Sequence, residues 1–144
     1  MCRLAAGALV RTASGGTAAV RCVVVSRLPA GSAAVLSELP SGLQLTEWHP
    51  VLEGASGRWR FPLLLGRRVV RFDVPAVYNL VLSREHVALV GGVPCATLGH
   101  GIEGNVIGHP FWGTRAVIDH LAQHDGWAAG RVELSEPLQA PRSA

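Results

Sequence analysis

Short apolar runs, each ended by glycine, proline or a polar turn, fill the first two thirds of this chain and constrain its fold more than any other feature. The run VRCVVV at residues 20–25 is typical of a strand that is buried on at least one face. The same pattern predicts strands at 9–12, 18–26, 69–72, 77–82 and 87–90, a run at 59–64 that Pro62 interrupts, and a hairpin turning at 40–42 between 35–36 and 43–46. We therefore expect a mainly β chain.

The pattern changes after a tight turn predicted at residues 91–92. Residues 99–113 are rich in glycine and show little periodicity, so we expect a structured loop there. Thr114 can then cap one late helix, whose apolar stripe consists of Val117, Ile118, Leu121 and Ala122. Gly126 stands where this helix is expected to stop, and a last strand is predicted at 131–134.

The length of 144 residues allows one ordinary domain and is too short for two. We assign residues 1–134 to that domain and expect the polar, proline-containing residues 135–144 to be a disordered tail. The hydrophobic fraction of 49% excludes a chain that is disordered throughout. The longest charge-free apolar stretch, 87–102, is broken by glycine and proline, so no membrane segment is expected.

The cysteines and the charge indicate the compartment and the class of partner. Three cysteines far apart in sequence do not form a disulfide framework, which favours a reducing, cytoplasmic compartment. The net charge is +3, and the closest basic cluster is Arg67, Arg68 and Arg71. A solvated strand edge explains that cluster better than a track for phosphates, so no nucleic-acid partner is expected.

The segment LTEWHP places Thr46 and His49 three residues apart at the end of a predicted strand. A hydroxyl and an imidazole with this spacing can both form hydrogen bonds to one adjacent peptide group. The alternative is a histidine at the end of a strand that simply binds a backbone group. The segment by itself does not decide between the two.

Later motifs add to this segment. A VYNLVL strand containing Tyr78 is followed by His86, a hydrophobic strand and a turn of small residues, and this order resembles the Hint fold of Hedgehog autoprocessing domains and inteins. Thr46 and His49 match its TxxH motif. The segments CATLGHG at 95–101 and GHPFWGT at 108–114 are similar to the Vint subgroup, found in proteins with von Willebrand factor A modules.

The resemblance implies a mainly β Hint-like fold and an activity that cleaves the protein's own precursor. In such domains a cysteine attacks the preceding peptide bond and forms a thioester by an N-to-S acyl shift. His49 would supply a proton or hydrogen bond to the departing nitrogen, and Thr46 would hold the scissile amide. The implied partners are the precursor in cis and a von Willebrand factor A module. The full set of expected site residues is His49, Thr46, His86, Cys95, His100 and His109.

The sequence departs from the family pattern at two points. Cys2 stands too close to Gly7 for the nucleophile, so it is interpreted as incidental, and the opening β-segment is expected to be missing. Residues 91–97 contain no His-Asn pair, so complete splicing is not expected. Two hypotheses stay open: a truncated autoprocessing domain that uses an upstream cysteine, or a degenerate module that binds proteins without catalysis.

The other thiols and imidazoles receive separate interpretations. Cys22 lies in a valine-rich strand and is expected to be a small buried hydrophobe, whereas Cys95 lies near the place where Hedgehog domains keep a second, redox-active cysteine. The resemblance implies that His100 and His109 order the glycine-rich loop or assist resolution of the thioester. His120 and His124 have helical i, i+4 spacing, but no acidic or cysteine ligand accompanies them. No metal and no cofactor are expected.

Overall fold

A computed structural model describes residues 4–136 of the chain. Its strands are β1 (Leu9–Arg11), β2 (Thr17–Arg27), β3 (Ala34–Glu38), β4 (Gln44–Thr46), β5 (Val51–Glu53), β6 (Arg58–Arg60), β7 (Arg67–Arg71), β8 (Ala76–Leu82), β9 (Val87–Val90), β10 (Val93–Ala96) and β11 (Arg131–Leu134). Its helices are α1 (Pro62–Leu65), α2 (Arg115–Leu121) and a 3-10 turn at Asp125–Trp127. The expected class, mainly β with a late helix, is confirmed.

The longest strand, β2, is the centre of a four-stranded sheet. It pairs antiparallel with β1 and β8 and parallel with β11. Because α2 and the glycine-rich loop cover one face and β8, β9 and β1 contribute to the other, β2 is buried on both sides. This explains why its sequence is a continuous valine-rich run instead of an alternation of apolar and polar residues.

A β-bulge in β2 distributes its side chains between the two cores. Val20 and Cys22 face neighbouring residues of β8, so Arg21 is the extra residue. The bulge reverses the alternation, and Val23 joins Val20 in one hydrophobic cluster while Val24 joins Cys22 in the other. Arg21 points outward, where its guanidinium lies 4.1 Å from the centre of the Trp127 ring.

Two further sheets complete the fold, one of four strands in the order β6-β5-β10-β9 and one of three strands in the order β4-β3-β7. The hairpin predicted around 40–42 is confirmed, since β3 and β4 are antiparallel. The tight turn at 91–92 is also confirmed: both glycines have positive φ, 56° and 80°, as a two-residue hairpin turn requires. This turn does not end the series of strands, because β10 follows it and pairs with both β9 and β5.

Two local predictions need correction. The run at 59–64 is not one strand, since β6 ends at Arg60 and Pro62 begins α1. A proline at this position is tolerated because the first N–H groups of a helix have no partner within it.

The predicted cap of α2 is confirmed, because Thr114 Oγ1 accepts a hydrogen bond from Ala116 N at 3.2 Å. However, α2 ends at Leu121, before Gly126. Gly126 is needed for a different reason: a Cβ there would lie 1.9 Å from the Arg131 carbonyl oxygen.

The surface carries the basic cluster on β7. Each of these arginines forms an ion pair with a carboxylate: Arg67 with Glu38 at 3.4 Å, Arg68 with Glu47 at 2.7 Å, and Arg71 with Asp73 at 2.7 Å. The positive charge of the cluster is therefore balanced locally.

Within residues 4–136, no helix is both long enough and apolar enough to cross a membrane. The predicted tail at 135–144 lies outside the described residues except for its first two.

Candidate functional site

The TxxH segment forms a turn that sends its two polar side chains to different places. β4 ends at Thr46, and His49 N donates a hydrogen bond to the Thr46 carbonyl at 3.2 Å. The Thr46 side chain is exposed and makes no side-chain hydrogen bond to the rest of residues 4–136. The backbone of Thr46 therefore shapes the turn that orients His49, whereas its hydroxyl is free on the surface.

His49 reaches from this turn to the end of β10. Its Nε2 lies 2.8 Å from the carbonyl oxygen of Ala96, and Ala96 N donates to the Pro50 carbonyl at 3.0 Å. Because a carbonyl oxygen can only accept, Nε2 carries the proton of this bond. Burial lowers the pKa of His49, and the bond to Ala96 opposes that effect only in part. The ring is therefore neutral near pH 7, and its Nδ1 has a free lone pair.

Cys95 lies beside this histidine but faces the core. It is 3% exposed, pairs with Val51 of β5, and packs among Leu39 and neighbouring apolar side chains. Burial raises its pKa to about 12. A thiol in this environment stays protonated at neutral pH and is a poor nucleophile. The structure therefore gives no support to the expected chemical role of Cys95, although it does place the residue next to the site.

Cys22 is fully buried, as its interpretation as a small hydrophobe predicts. Its pKa is also raised by burial. Both cysteines within residues 4–136 are free thiols. Cys2 lies outside the described residues.

His86 occupies a strained turn between β8 and β9. Its φ is 41°, in the left-handed region that non-glycine residues seldom adopt. Its carbonyl accepts two hydrogen bonds from Thr97, from N at 3.0 Å and from Oγ1 at 2.7 Å. Its Nδ1 is buried and has no hydrogen-bond partner among the described residues. The turn therefore fixes the backbone of His86 directly beside the partner of His49.

His100 lies at the start of the glycine-rich loop, three residues after Thr97. Its Nδ1 accepts a hydrogen bond from Ile102 N at 2.9 Å. Burial lowers the pKa of His100, and a positive charge on His86 lowers it further.

His109 is exposed and orders the far end of the same loop. Its Nδ1 accepts hydrogen bonds from Phe111 N and Trp112 N, both at 3.1 Å. The loop is folded back on itself, because Gly99 N donates to the Trp112 carbonyl and Gly101 N to the Gly113 carbonyl, each at 2.8 Å. A shallow groove of about 320 Å³ runs along it, lined by Gly101, Ile102, Glu103, Gly104, Gly108, His109, Pro110, Gly113 and Thr114.

The site thus centres on the end of β10. This segment, residues 95–97, contains Cys95 and binds His49 through Ala96 and His86 through Thr97. His100 follows it along the chain. His109 is linked only through the glycine-rich loop, and the Thr46 hydroxyl is not brought to the site. Sequence reasoning missed the Ala96 carbonyl and Thr97, because no local pattern marks a backbone acceptor or a threonine that binds a residue eleven positions away.

The paired histidines of the helix region form a separate feature. The rings of His120 and His124 lie 5.7 Å apart between centroids, in an edge-on arrangement. Within the part of the chain that the structure describes, no group of three or more histidine, cysteine, aspartate or glutamate side chains is arranged to hold a metal ion.

The lowered pKa values of His49 and His100 predict how stability depends on pH. A histidine whose pKa falls below its ordinary value of 6.5 on folding is protonated more readily in the unfolded chain. Its contribution to stability is therefore complete above that value and is lost as the pH falls toward the folded-state pKa. We expect the free energy of unfolding to decrease from about pH 7.5 to about pH 5.5 in urea titrations.

A matched pair of variants assigns part of this slope to His49. His49→Gln can still donate to the Ala96 carbonyl but does not titrate, so it should flatten the slope. Gln123→Ala, at an exposed residue that does not titrate, is the control and should leave the slope unchanged. An equal slope in wild type and His49→Gln would contradict the prediction.

The family of the chain follows from a comparison with protein-family models. The Vint model, described as a Hint-domain, matches residues 1–142, almost the entire chain. A search of curated proteins found no match. The mainly β architecture with one late helix agrees with the resemblance carried by TxxH and the two glycine-rich segments. The chain belongs to the Vint family of Hint domains.

Proposed function

We propose that this domain cleaves its own precursor by an N-to-S acyl shift, with the precursor as its substrate in cis. The observation that carries the proposal is the environment of His49. A half-buried, neutral imidazole donates through Nε2 to the Ala96 carbonyl and keeps a lone pair on Nδ1. A ring held in this way can take up a proton and return it without changing its position.

The proposed step uses His49 twice. Its Nδ1 accepts the proton of a cysteine thiol, and the thiolate attacks the carbonyl carbon of the peptide bond that precedes the cysteine. A C–S bond forms and a tetrahedral intermediate results. The imidazolium of His49 then gives the same proton to the amide nitrogen as the C–N bond breaks. The products are a thioester and the free α-amino group of the cysteine.

The attacking thiol in this proposal belongs to a segment N-terminal to the described residues. Cys22 and Cys95 are both buried, and burial raises the pKa of each. Because both thiols stay protonated at neutral pH, we propose that Cys22 and Cys95 are packing residues.

The remaining residues would serve the second half of the reaction. We propose that His86 and His100 lie along the path of the group that resolves the thioester, since the backbone of His86 binds Thr97 and the ring of His100 binds the loop that follows. His109 would keep the groove open by holding the backbone of Phe111 and Trp112. Thr46 would contact the scissile amide only through the exposed face of the turn.

The test is to express the chain with the residues that its gene encodes upstream and to incubate this precursor with hydroxylamine or a thiol. A thioester at the cysteine junction should release an N-terminal fragment, visible by mass spectrometry. Replacing the junction cysteine by serine is the control and should block the reaction with thiol. An intact precursor, or an in-frame stop codon in place of an upstream cysteine, would overturn the proposal.

A second candidate function is a non-catalytic interaction module. The observation that favours it is a set of large apolar side chains on the surface, with Trp48 64% exposed, Leu64 65% and Phe72 66%. Trp48 also packs edge-on against Phe61 at 5.1 Å between ring centroids. Aromatic residues of this kind are enriched in protein interfaces. A precursor that stays intact while Trp48→Ala weakens binding to a flanking von Willebrand factor A module would favour this function.

A further inference from the structure

The connection from β8 to β9 adopts an unusual backbone conformation. Glu85 and His86 are consecutive, and both have positive φ, 63° and 41°. Within residues 4–136 they are the only non-glycine residues with positive φ. A pair of such residues is costly, and it persists only where the surrounding structure holds it in place. The turn also carries the chain from the sheet of β2 to the sheet of β10.

The carboxylate of Glu85 is held by a turn that is far away in sequence. Thr12 Oγ1 donates a hydrogen bond to Oε2 at 2.7 Å, and Ser14 Oγ donates to Oε1 at 2.9 Å. Thr12 is 0% exposed, and it forms an isolated bridge to Ala88 of β9. Both carboxylate oxygens are thus engaged by hydroxyl groups at short distance, an arrangement typical of charge-assisted hydrogen bonds.

Two further bonds tie the same pair of turns together. The Arg84 guanidinium donates to the Thr17 carbonyl at 2.9 Å, and Ala13 N donates to the Val87 carbonyl at 3.1 Å. The turn at 83–86 is therefore fastened to the turn at 12–17 on both sides of Glu85. A turn that served only to connect two strands would not need these contacts.

The turn at residues 83–86 is connected to the candidate site through the backbone of His86. His86 follows Glu85, and its carbonyl accepts both hydrogen bonds from Thr97. The residue before Thr97 is Ala96, whose carbonyl binds the ring of His49. A displacement of Glu85 would therefore move His86 and the segment 96–97 together.

We propose that Thr12, Ser14 and Glu85 form a positioning clamp that holds the left-handed turn and thereby sets His86 and residues 96–97 for the reaction of the domain. The three residues do not touch the reacting atoms, so they act through His86. The proposal rests on the proposed self-cleavage for its functional consequence, but the positioning itself can be measured in the chain alone.

The first experiment follows the histidine ring signals by NMR in the 144-residue chain. In Glu85→Ala, we expect the signals of His86 and His49 to shift or broaden, while those of His120 and His124 stay in place. Glu133→Ala is the matched control, because Glu133 also accepts hydrogen bonds from two residues, Arg27 and Arg131, but lies on β11 away from the turn. It should leave all the ring signals of the site unchanged.

Three other variants distinguish the effect of losing the hydrogen bonds to Glu85 from the effects of backbone strain and of unfolding. Glu85→Gly relieves the positive φ but removes the carboxylate, so it should perturb His86 as Glu85→Ala does. Wild-type ring signals in Glu85→Gly would overturn the clamp. Glu85→Gln keeps one oxygen acceptor and should give an intermediate shift. Ser14→Ala removes one hydroxyl at an exposed residue, and with it the hydrogen bonds to Glu85, Thr12 and Gly16 N. Unchanged His86 signals in this variant would also count against the clamp.

The second experiment measures self-cleavage of the precursor. Glu85→Ala should slow it about tenfold or more relative to wild type and to Glu133→Ala, and Glu85→Gln should recover part of the rate. If the wild-type precursor does not cleave, the proposed function fails, and the ring signals still decide the clamp. If wild type cleaves and Glu85→Ala changes neither the rate nor the signals, the clamp fails and the proposed function stands.

Discussion

His49→Ala is expected to slow self-cleavage of the precursor by about 100- to 10,000-fold, the usual contribution of a positioned general acid and base. The loss is large because one ring is proposed to take the proton from the thiol and to return it to the amide nitrogen. Alanine also removes the donor to the Ala96 carbonyl, which loosens the junction of β5 and β10. The rate would be followed as fragment released over time in the presence of a thiol.

His124→Ala is the matched control for this experiment. His124 is a half-buried histidine near the end of α2, and it contacts His120 instead of the site. Its replacement should change the cleavage rate by less than about twofold, because it removes an imidazole from outside the proposed chemistry. Circular dichroism of both variants would verify that they are folded. If His49→Ala cleaves as fast as wild type, the proposed mechanism is wrong.

Leu121→Ala is expected to lower the free energy of unfolding by about 2–5 kcal/mol. Leu121 is 0% exposed at the end of α2, and it packs in the cluster that contains Val117, Val132 and Phe111. The truncated side chain would leave a cavity that the rigid sheet beneath cannot fill. α2 has only seven residues, so it depends on this packing, since an isolated helix of that length is not stable.

Leu64→Ala provides the comparison for this core variant. Leu64 is also a leucine in a helix, but it is 65% exposed, so its truncation should change stability by about 0.5 kcal/mol or less. Urea unfolding of the three proteins measures the difference directly. Similar losses for Leu121→Ala and Leu64→Ala would contradict the assignment of Leu121 to the core. Because Phe111 shares the cluster, Leu121→Ala should also loosen the glycine-rich loop.

Several features of the fold could be predicted because they depend on neighbouring residues. A continuous valine-rich run located β2, and turn chemistry located the hairpins at 40–42 and 91–92. Thr114 marked the start of α2. Predictions failed where a distant contact decided the outcome. Gly126 looks like the end of a helix, yet it is required by the close approach of the Arg131 carbonyl. The short strand β10 was missed because proline and cysteine do not form an alternating pattern.

For the candidate site, too, the sequence predicted the features that depend on local motifs and not those that depend on distant contacts. The order of TxxH, VYNLVL and the two glycine-rich segments was sufficient to indicate the Hint family, which the family match confirms. The spacing of Thr46 and His49 left open whether both side chains converge on one peptide group or the histidine simply binds a backbone group. The structure directs only the imidazole toward Ala96 and leaves the hydroxyl exposed. The assignments of His49, Thr46, His86, Cys95, His100 and His109 to the reaction remain predictions.

The sequence by itself determined the β class, the late helix and the family, because periodicity, caps and motifs are properties of residues that are close along the chain. Only the tertiary structure decided which groups meet at the end of β10. The bond between His49 and Ala96 joins residues 47 positions apart, and that between Thr12 and Glu85 joins residues 73 apart. Burial, which sets the pKa of His49 and Cys95, arises only when distant strands pack together.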